Sequence, residues 1–327
     1  MIDRPGLDAA ASGPPVVGPV RISQGLAAAE DCMSTLTIRH LTTYRYRQPV
    51  AFGEHRMMLR PRDSAEQRVT SSRLLIDPEP VSLDFIQDSF GNHIGIARFS
   101  GRARALRVES QVSVEHSPPA FSGTATDAFP PLYPQGDRAA LAGFLGDDVD
   151  SQVADWARRF LPATGSWSLL CSLSDGIHRD FRYRRREARG IQTPQETLGL
   201  GEGSCRDFAV LMIAAARVLG FAARFASGYL AVPLDRPSET PGASDVPDGS
   251  ETGHGSTHAW AQVYLPLLGW IDFDPTNGTI GPQNLVTVAV VEQPEDATPL
   301  HGTFLGFPSD HIGMDVAVTI TKHPIAA

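Results

Sequence analysis

The chain has 327 residues, of which 42 % are hydrophobic and 20 % charged, with a formal net charge of −9. This is a globular composition of about two domains with material for a large core, and its acidic balance argues against nucleic acid as a partner. No stretch reaches the roughly 18 apolar residues of a membrane span, and three scattered cysteines (Cys32, Cys171, Cys205) suit a reducing cytoplasm rather than a disulfide framework.

Residues 1–33 are rich in Ala, Gly and Pro without a signal-peptide layout, so they read as a disordered leader, with Met33 as an alternative start. Residues 34–116 read as an N-terminal antiparallel β domain. β-branched and aromatic runs at 34–46, 73–76, 82–87, 93–99 and 105–114 carry the signal, and Phe90-Gly91-Asn92 marks a hairpin turn. The prolines of residues 117–137 predict a linker.

Helical periodicity resumes over 147–161 and again over 167–178, where Cys171 falls in the apolar stripe as core packing. The basic run 178–186 reads as an exposed strand and turn, and a polar connector from Gly190 follows. Residues 203–220 form the clearest helix, with Phe208, Leu211, Met212, Ala215, Ala216 and Leu219 on one face. Ser204 and Asp207 have the spacing of a capping box, and Gly220 supplies the stop. A buried strand is predicted over 221–230, then a long acidic loop over 233–256 that could close as a lid. Residues 281–327 return to strand-like runs that close a sheet.

The helix places Cys205 in its first turn, beside free backbone N–H groups and the positive end of the macrodipole. There thiol pKa values of roughly 3.5–7.5 replace the usual value of about 8.5. A nucleophilic thiol needs a base, and the base needs an acceptor to fix its tautomer. In the alternating run 257–265, His258, Trp260, Gln262 and Tyr264 share one face, and residues 270–274 form a second strand ended by Pro275. If Leu265 pairs with Trp270, His258 lies on the wrong side of the sheet from both aspartates. If Tyr264 pairs with Trp270, Asp274 comes within one pair of His258, roughly 7 Å along the strand, and Asp272 stays about 14 Å away. Cys205, His258 and Asp274 are therefore the candidate catalytic residues, given that second register.

Gly203-Ser-Cys205-Arg-Asp207-Phe-Ala209, Gly220-Phe-Ala-Ala-Arg-Phe-Ala-Ser-Gly228-Tyr229, His258-Ala-Trp260 and Trp270-Ile-Asp-Phe-Asp274-Pro-Thr-Asn-Gly278 resemble the transglutaminase-like superfamily. More narrowly, residues 35–50, Leu59-Arg-Pro-Arg62 and Asp88-Ser-Phe-Gly-Asn92 are similar to the N-terminal β domain of its bacterial branch. The resemblance implies an α+β fold with a papain-like core over 138–280, in which the cysteine-bearing helix packs on an antiparallel sheet. It also implies Cys205 as nucleophile, His258 as base and Asp274 as its partner. Ser204, Trp260 and Tyr229 are the added candidates for holding substrate or an oxyanion. The chain departs from the family pattern at Val291-Glu-Gln-Pro294, an edge that bears on substrate preference.

The expected activity is thiol-dependent chemistry on a peptide or side-chain amide, hydrolysis favoured, with no cofactor and no metal. The alternatives are a crosslinking transglutaminase that transfers the acyl group to an amine, and a non-catalytic peptide-binding scaffold of the same fold. Animal members need calcium, but no Ca²⁺-loop spacing is present. His254 and His258 have the spacing of a zinc-binding helix, yet Gly253 and Gly255 deny that helix.

Overall fold

The computed structural model describes residues 34–117, 129–146, 150–161, 163, 165–184, 190–231, 251–266 and 268–324. The leader, most of the proline-rich linker, Val149, the tip of the basic run and residues 233–250 of the loop expected over 233–256 lie outside them, and the remainder of that loop is mostly strand.

The first unit is built from β1 (Ser34–Met57), β2 (Gln67–Asp77), β3 (Ser82–Gln87), β4 (His93–Arg98) and β5 (Ala103–His116). The described helices are α1 (Gln135–Ala140), α2 (Ser151–Arg158), α3 (Ser166–Asp180), α4 (Pro194–Leu200) and α5 (Cys205–Val218), with the short strands β6 (Arg182–Tyr183) and β7 (Glu202–Gly203) between them. Then follow β8 (Ala223–Leu230), β9 (Glu251–His254), β10 (Ser256–Leu265), β11 (Gly269–Asp274), β12 (Thr279–Ile280), β13 (Leu285–Val291), β14 (Leu300–Leu305) and β15 (His311–Pro324).

Two antiparallel sheets hold all the described strands but β6 and β7, which pair with each other in parallel. One runs β2-β5-β1-β15-β9, with β4 and β14 on the second half of β1 and β3 beside β4; the other runs β12-β11-β10-β8-β13. β1 runs on to Met57, past Pro49 and well beyond residue 46, where the first run read from the sequence ends. Its first half pairs with β5 and β15 up to Arg45 and Tyr46, and its second half pairs with β4 and β14 from Ala51 onward. Pro49 cannot donate to a ladder, and it sits where the strand exchanges one set of partners for another. The strands after residue 281 divide between the sheets: β13 joins β8, while β14 and β15 join β1.

Several short elements were not expected, among them α1, β12 and the two that follow. α4 occupies the polar connector, capped by the reciprocal pair Thr193 and Glu196 with Pro194 in the first turn. β9 pairs with β15 through Glu251↔Lys322 to His254↔Thr319. One residue later the chain enters β10, in the other sheet. His254 and His258 thus stand on two strands.

Helix α5 supplies the floor of the second unit. Phe208, Leu211, Met212, Ala215 and Ala216 are buried in one cluster with Ala259, Ala261, Val263 and Leu265 of β10. Cys171 is buried on α3. The other face of β10 carries Trp260, packed with Ala226, Leu285, Val290 and Phe90 of the β3–β4 loop. None of the described helices is long and apolar enough to cross a membrane.

The first unit docks by covering the outer edge of β13 with side chains. Gln67 donates from Nε2 to the Thr287 carbonyl at 2.7 Å, and its Oε1 accepts the Thr287 N–H at 2.9 Å. Asn92 does the same at Val290, donating at 2.8 Å and accepting at 2.9 Å. Each carboxamide reproduces a strand's donor and acceptor, so the edge is neither solvated nor open to another chain. Asn92 has no exposed surface, and it also bonds Asp88 and accepts from Arg62. Asn92→Ala orphans several of these groups at once, so it should cost at least about 2 kcal/mol. Denaturant unfolding measures the loss.

Candidate active site

Cys205 opens α5, and the turn before it is locked by Asp207. Asp207 Oδ2 accepts from the backbone N–H and the hydroxyl of Ser204, both at 2.8 Å, and Oδ1 accepts the Gln192 N–H at 2.7 Å. The capping box read from the sequence is therefore present, with the buried carboxylate as its centre. The thiol is half-buried.

His258 lies near the start of β10, opposite Gly228 of β8. A methyl group on Gly228 would sit 2.0 Å from the carbonyl oxygen of Val286, so only glycine lets β13 approach at this point. The β10–β11 register is Tyr264↔Trp270, Gln262↔Asp272 and Ala261↔Phe273. This is the pairing that puts His258 and Asp274 one step apart on a common face. His258 Nε2 lies 2.8 Å from Asp274 Oδ2, with both side chains buried. Cys205 lies close enough to the same ring to favour its protonated form. Because Nε2 faces the carboxylate, Nδ1 is the nitrogen left for the sulfur.

Burial alone would push the His258 imidazole down. The hydrogen bonds to Asp274 and Cys205, with the negative charge of both, outweigh burial and raise it to about 10. The ring stacks on Trp260, centroids 6.1 Å apart. Beyond Asp274 the chain turns sharply. Asp274 Oδ1 accepts the N–H groups of Thr276 at 3.1 Å and Asn277 at 3.3 Å, an Asx turn. Asn277 Nδ2 donates to Asp274 Oδ2 at 2.6 Å and lies 3.3 Å from His258 Nε2. From α3, His178 Nδ1 meets the Thr276 carbonyl at 3.1 Å. Asn277 was legible only as one letter in the motif, although an Asx turn after Asp274 is a recognisable local signal.

The three further candidates are brought to other partners. Ser204 has its hydroxyl on Asp207. Trp260 is fully buried and donates from Nε1 to Asp272 Oδ1 at 2.6 Å. Tyr229 is buried against the first unit, its hydroxyl 3.1 Å from His40 Nδ1 and donating to the Leu59 carbonyl at 3.4 Å. Their donors are occupied, so they support the site rather than face a substrate. Local alternation assigns a face to each of them but not a partner.

Asp272 serves the layer behind His258. Its Oδ1 accepts from Trp260 and from Gln262 Nε2 at 2.8 Å; Gln262 Oε1 accepts from Arg224, whose guanidinium lies 4.0 Å from the Trp270 ring centre. Burial pushes the Asp272 carboxyl up to about 6, against the pull of Gln262 and Trp260. The folded protein thus holds a proton between pH 3.8 and about 6 that the unfolded chain has released, and stability falls as pH rises through that window. Asp272→Asn keeps the Oδ1 acceptor without the charge. Its Tm should exceed the wild-type Tm at pH 7, and the gap should close as pH falls towards 4.

Known proteins add an independent comparison. The profile of the bacterial transglutaminase-like N-terminal region matches residues 36–115, and that of the transglutaminase-like superfamily matches residues 156–275. An uncharacterized protein of Mycobacterium tuberculosis is 32 % identical over 299 residues, 86 % of this chain and 91 % of the relative. One from Mycobacterium leprae is 25 % identical over 316 residues, 89 % of this chain and 99 % of the relative. In architecture the chain is similar to a candidate cysteine protease from Cytophaga hutchinsonii, with TM-score 0.65 at 19 % identity, covering 88 % of this chain and 90 % of that one.

Proposed function

Because this chain belongs to the transglutaminase-like superfamily, a family of thiol-dependent enzymes, we propose that it cleaves amide bonds through Cys205, His258 and Asp274, with hydrolysis favoured over transfer to an amine. The observation that carries this reading is the convergence of Cys205 and Asp274 on one buried imidazole, the carboxylate at 2.8 Å from Nε2.

The cysteine is the electron-pair donor. The thiol stands beside the imidazole, the base to which it gives its proton. The thiolate attacks the amide carbonyl carbon, and the charge that develops on oxygen falls to the Cys205 backbone N–H, one of the first-turn amides without a partner inside the helix. As the C–N bond breaks, His258 gives its proton to the leaving amine, and a thioester remains. Water then attacks the thioester, His258 takes a proton from it, and the acid product leaves with the thiolate restored. Asp274 holds the ring in the tautomer and orientation that both transfers need. Its replacement by Ala should lower kcat by about 10³–10⁴-fold with little change in KM.

Two measurements test the reading. Wild-type Cys205 should react with iodoacetamide well below the pH at which a free thiol does. In His258→Ala the rate at neutral pH should fall sharply, because the group that takes the thiol proton is gone. Selective labelling of Cys32 would count against the proposal. For the reaction itself, a peptide library is incubated with and without a primary amine and read by mass spectrometry. Chain cleavage or ammonia loss, absent in Cys205→Ala, supports hydrolysis; amine incorporation would replace it with acyl transfer. A library unchanged under both conditions would overturn the enzymatic reading.

A further inference from the structure

The carboxylate that orients His258 is shared. Four donors converge on Asp274: the N–H groups of Thr276 and Asn277 on Oδ1, and His258 Nε2 and Asn277 Nδ2 on Oδ2. The Asn277 contact, at 2.6 Å, is the shorter of the two on Oδ2. A carboxamide nitrogen carries two hydrogens. One is spent on Asp274, and the nitrogen lies 3.3 Å from His258 Nε2. When that ring nitrogen bears a proton, two N–H groups crowd the same oxygen. A carboxylate divided between two donors in this way holds the imidazolium less firmly than one given to the ring alone, in opposition to the full effect of Asp274.

We propose that Asn277 is a positioning residue that limits the hold of Asp274 on the imidazolium of His258, so that the ring can release its proton during turnover. This rests on the reading of Cys205, His258 and Asp274 given above. That reaction needs the ring to lose a proton to the leaving amine and regain one from water. A ring clamped by an unshared carboxylate performs the second transfer well and the first one poorly. The ionisable groups acting on the ring are Asp274 from β11 and Cys205 from α5. Trp260, stacked on it, is uncharged. His178 on α3 bonds the Thr276 carbonyl and so holds the turn that carries Asn277.

Asn277 can be told from a merely structural residue because its loss and the loss of Asp274 act in opposite directions. The probe is the pH profile of Cys205 alkylation, read together with the titration of His258 by NMR of histidine-labelled protein. Asp274→Asn should move the acid limb of alkylation to higher pH and lower the pH at which the ring titrates. Asn277→Ala should move the acid limb to lower pH, by about one unit, and raise the ring's titration. Asn277→Ser, which keeps one donor and the turn, should fall between Asn277→Ala and wild type, and it provides the test if the alanine variant fails to fold. An Asn277 profile that matches wild type, or that shifts with Asp274→Asn, overturns the proposal. The parent reading fails differently: wild type would then show no alkylation at low pH, and His258→Ala would match it, whatever residue 277 is.

Discussion

One pairing in the β10–β11 hairpin governs the site: Gln262 stands opposite Asp272. Strand side chains alternate, so a slip of one residue would turn His258 away from both aspartates. The register given by Tyr264↔Trp270 also separates the two acids by role. Asp274 reaches the ring of His258, while Asp272 is left for Trp260 and Gln262, which it ties into the layer beneath. The two carboxylates differ by two positions in sequence, yet one meets the reacting groups and the other only their support.

The second constraint is the junction between the sheets. β13 would be an exposed edge if the second unit stood alone, and Gln67 and Asn92 cover it from the first unit with carboxamides in place of a strand. From the other side, Tyr229 of β8 reaches His40 and the Leu59 carbonyl. β9 adds a covalent connection, since it belongs to the first sheet and runs into β10, which begins two residues before His258. His258 therefore sits on a strand held by both units.

How much of this was legible depended on the range of the interaction. Helix α5, its capping box and its cysteine were readable because every residue involved lies within one short window. The hairpin left two registers open, and the requirement that an imidazole meet a carboxylate pointed to the one observed. α4 escaped notice because Gly199 and Gly201 break a short helix whose real signal is its Thr193–Glu196 cap. β9 escaped because its Gly253 and the adjoining Gly255 look like loop. A methyl on Gly255 would lie 2.4 Å from Ile320, so that glycine marks the crossing between sheets. The roles of Gln67 and Asn92 could not be read at all, since their partners lie 220 and 198 residues away.

The first half of β1 pairs with β15 along nearly the whole of that strand, with Ser34 opposite Pro324 and Ile38 opposite Ile320. The central strand of the first unit therefore waits, on the ribosome, for almost the last residues described. Loop closure over such a separation is slow. Until it happens, the apolar face of β1 has an unfilled neighbour of the kind that invites aggregation. A fragment cut after residue 116 would carry that vacancy permanently, so the amino-terminal unit is a module of architecture without being a unit of folding.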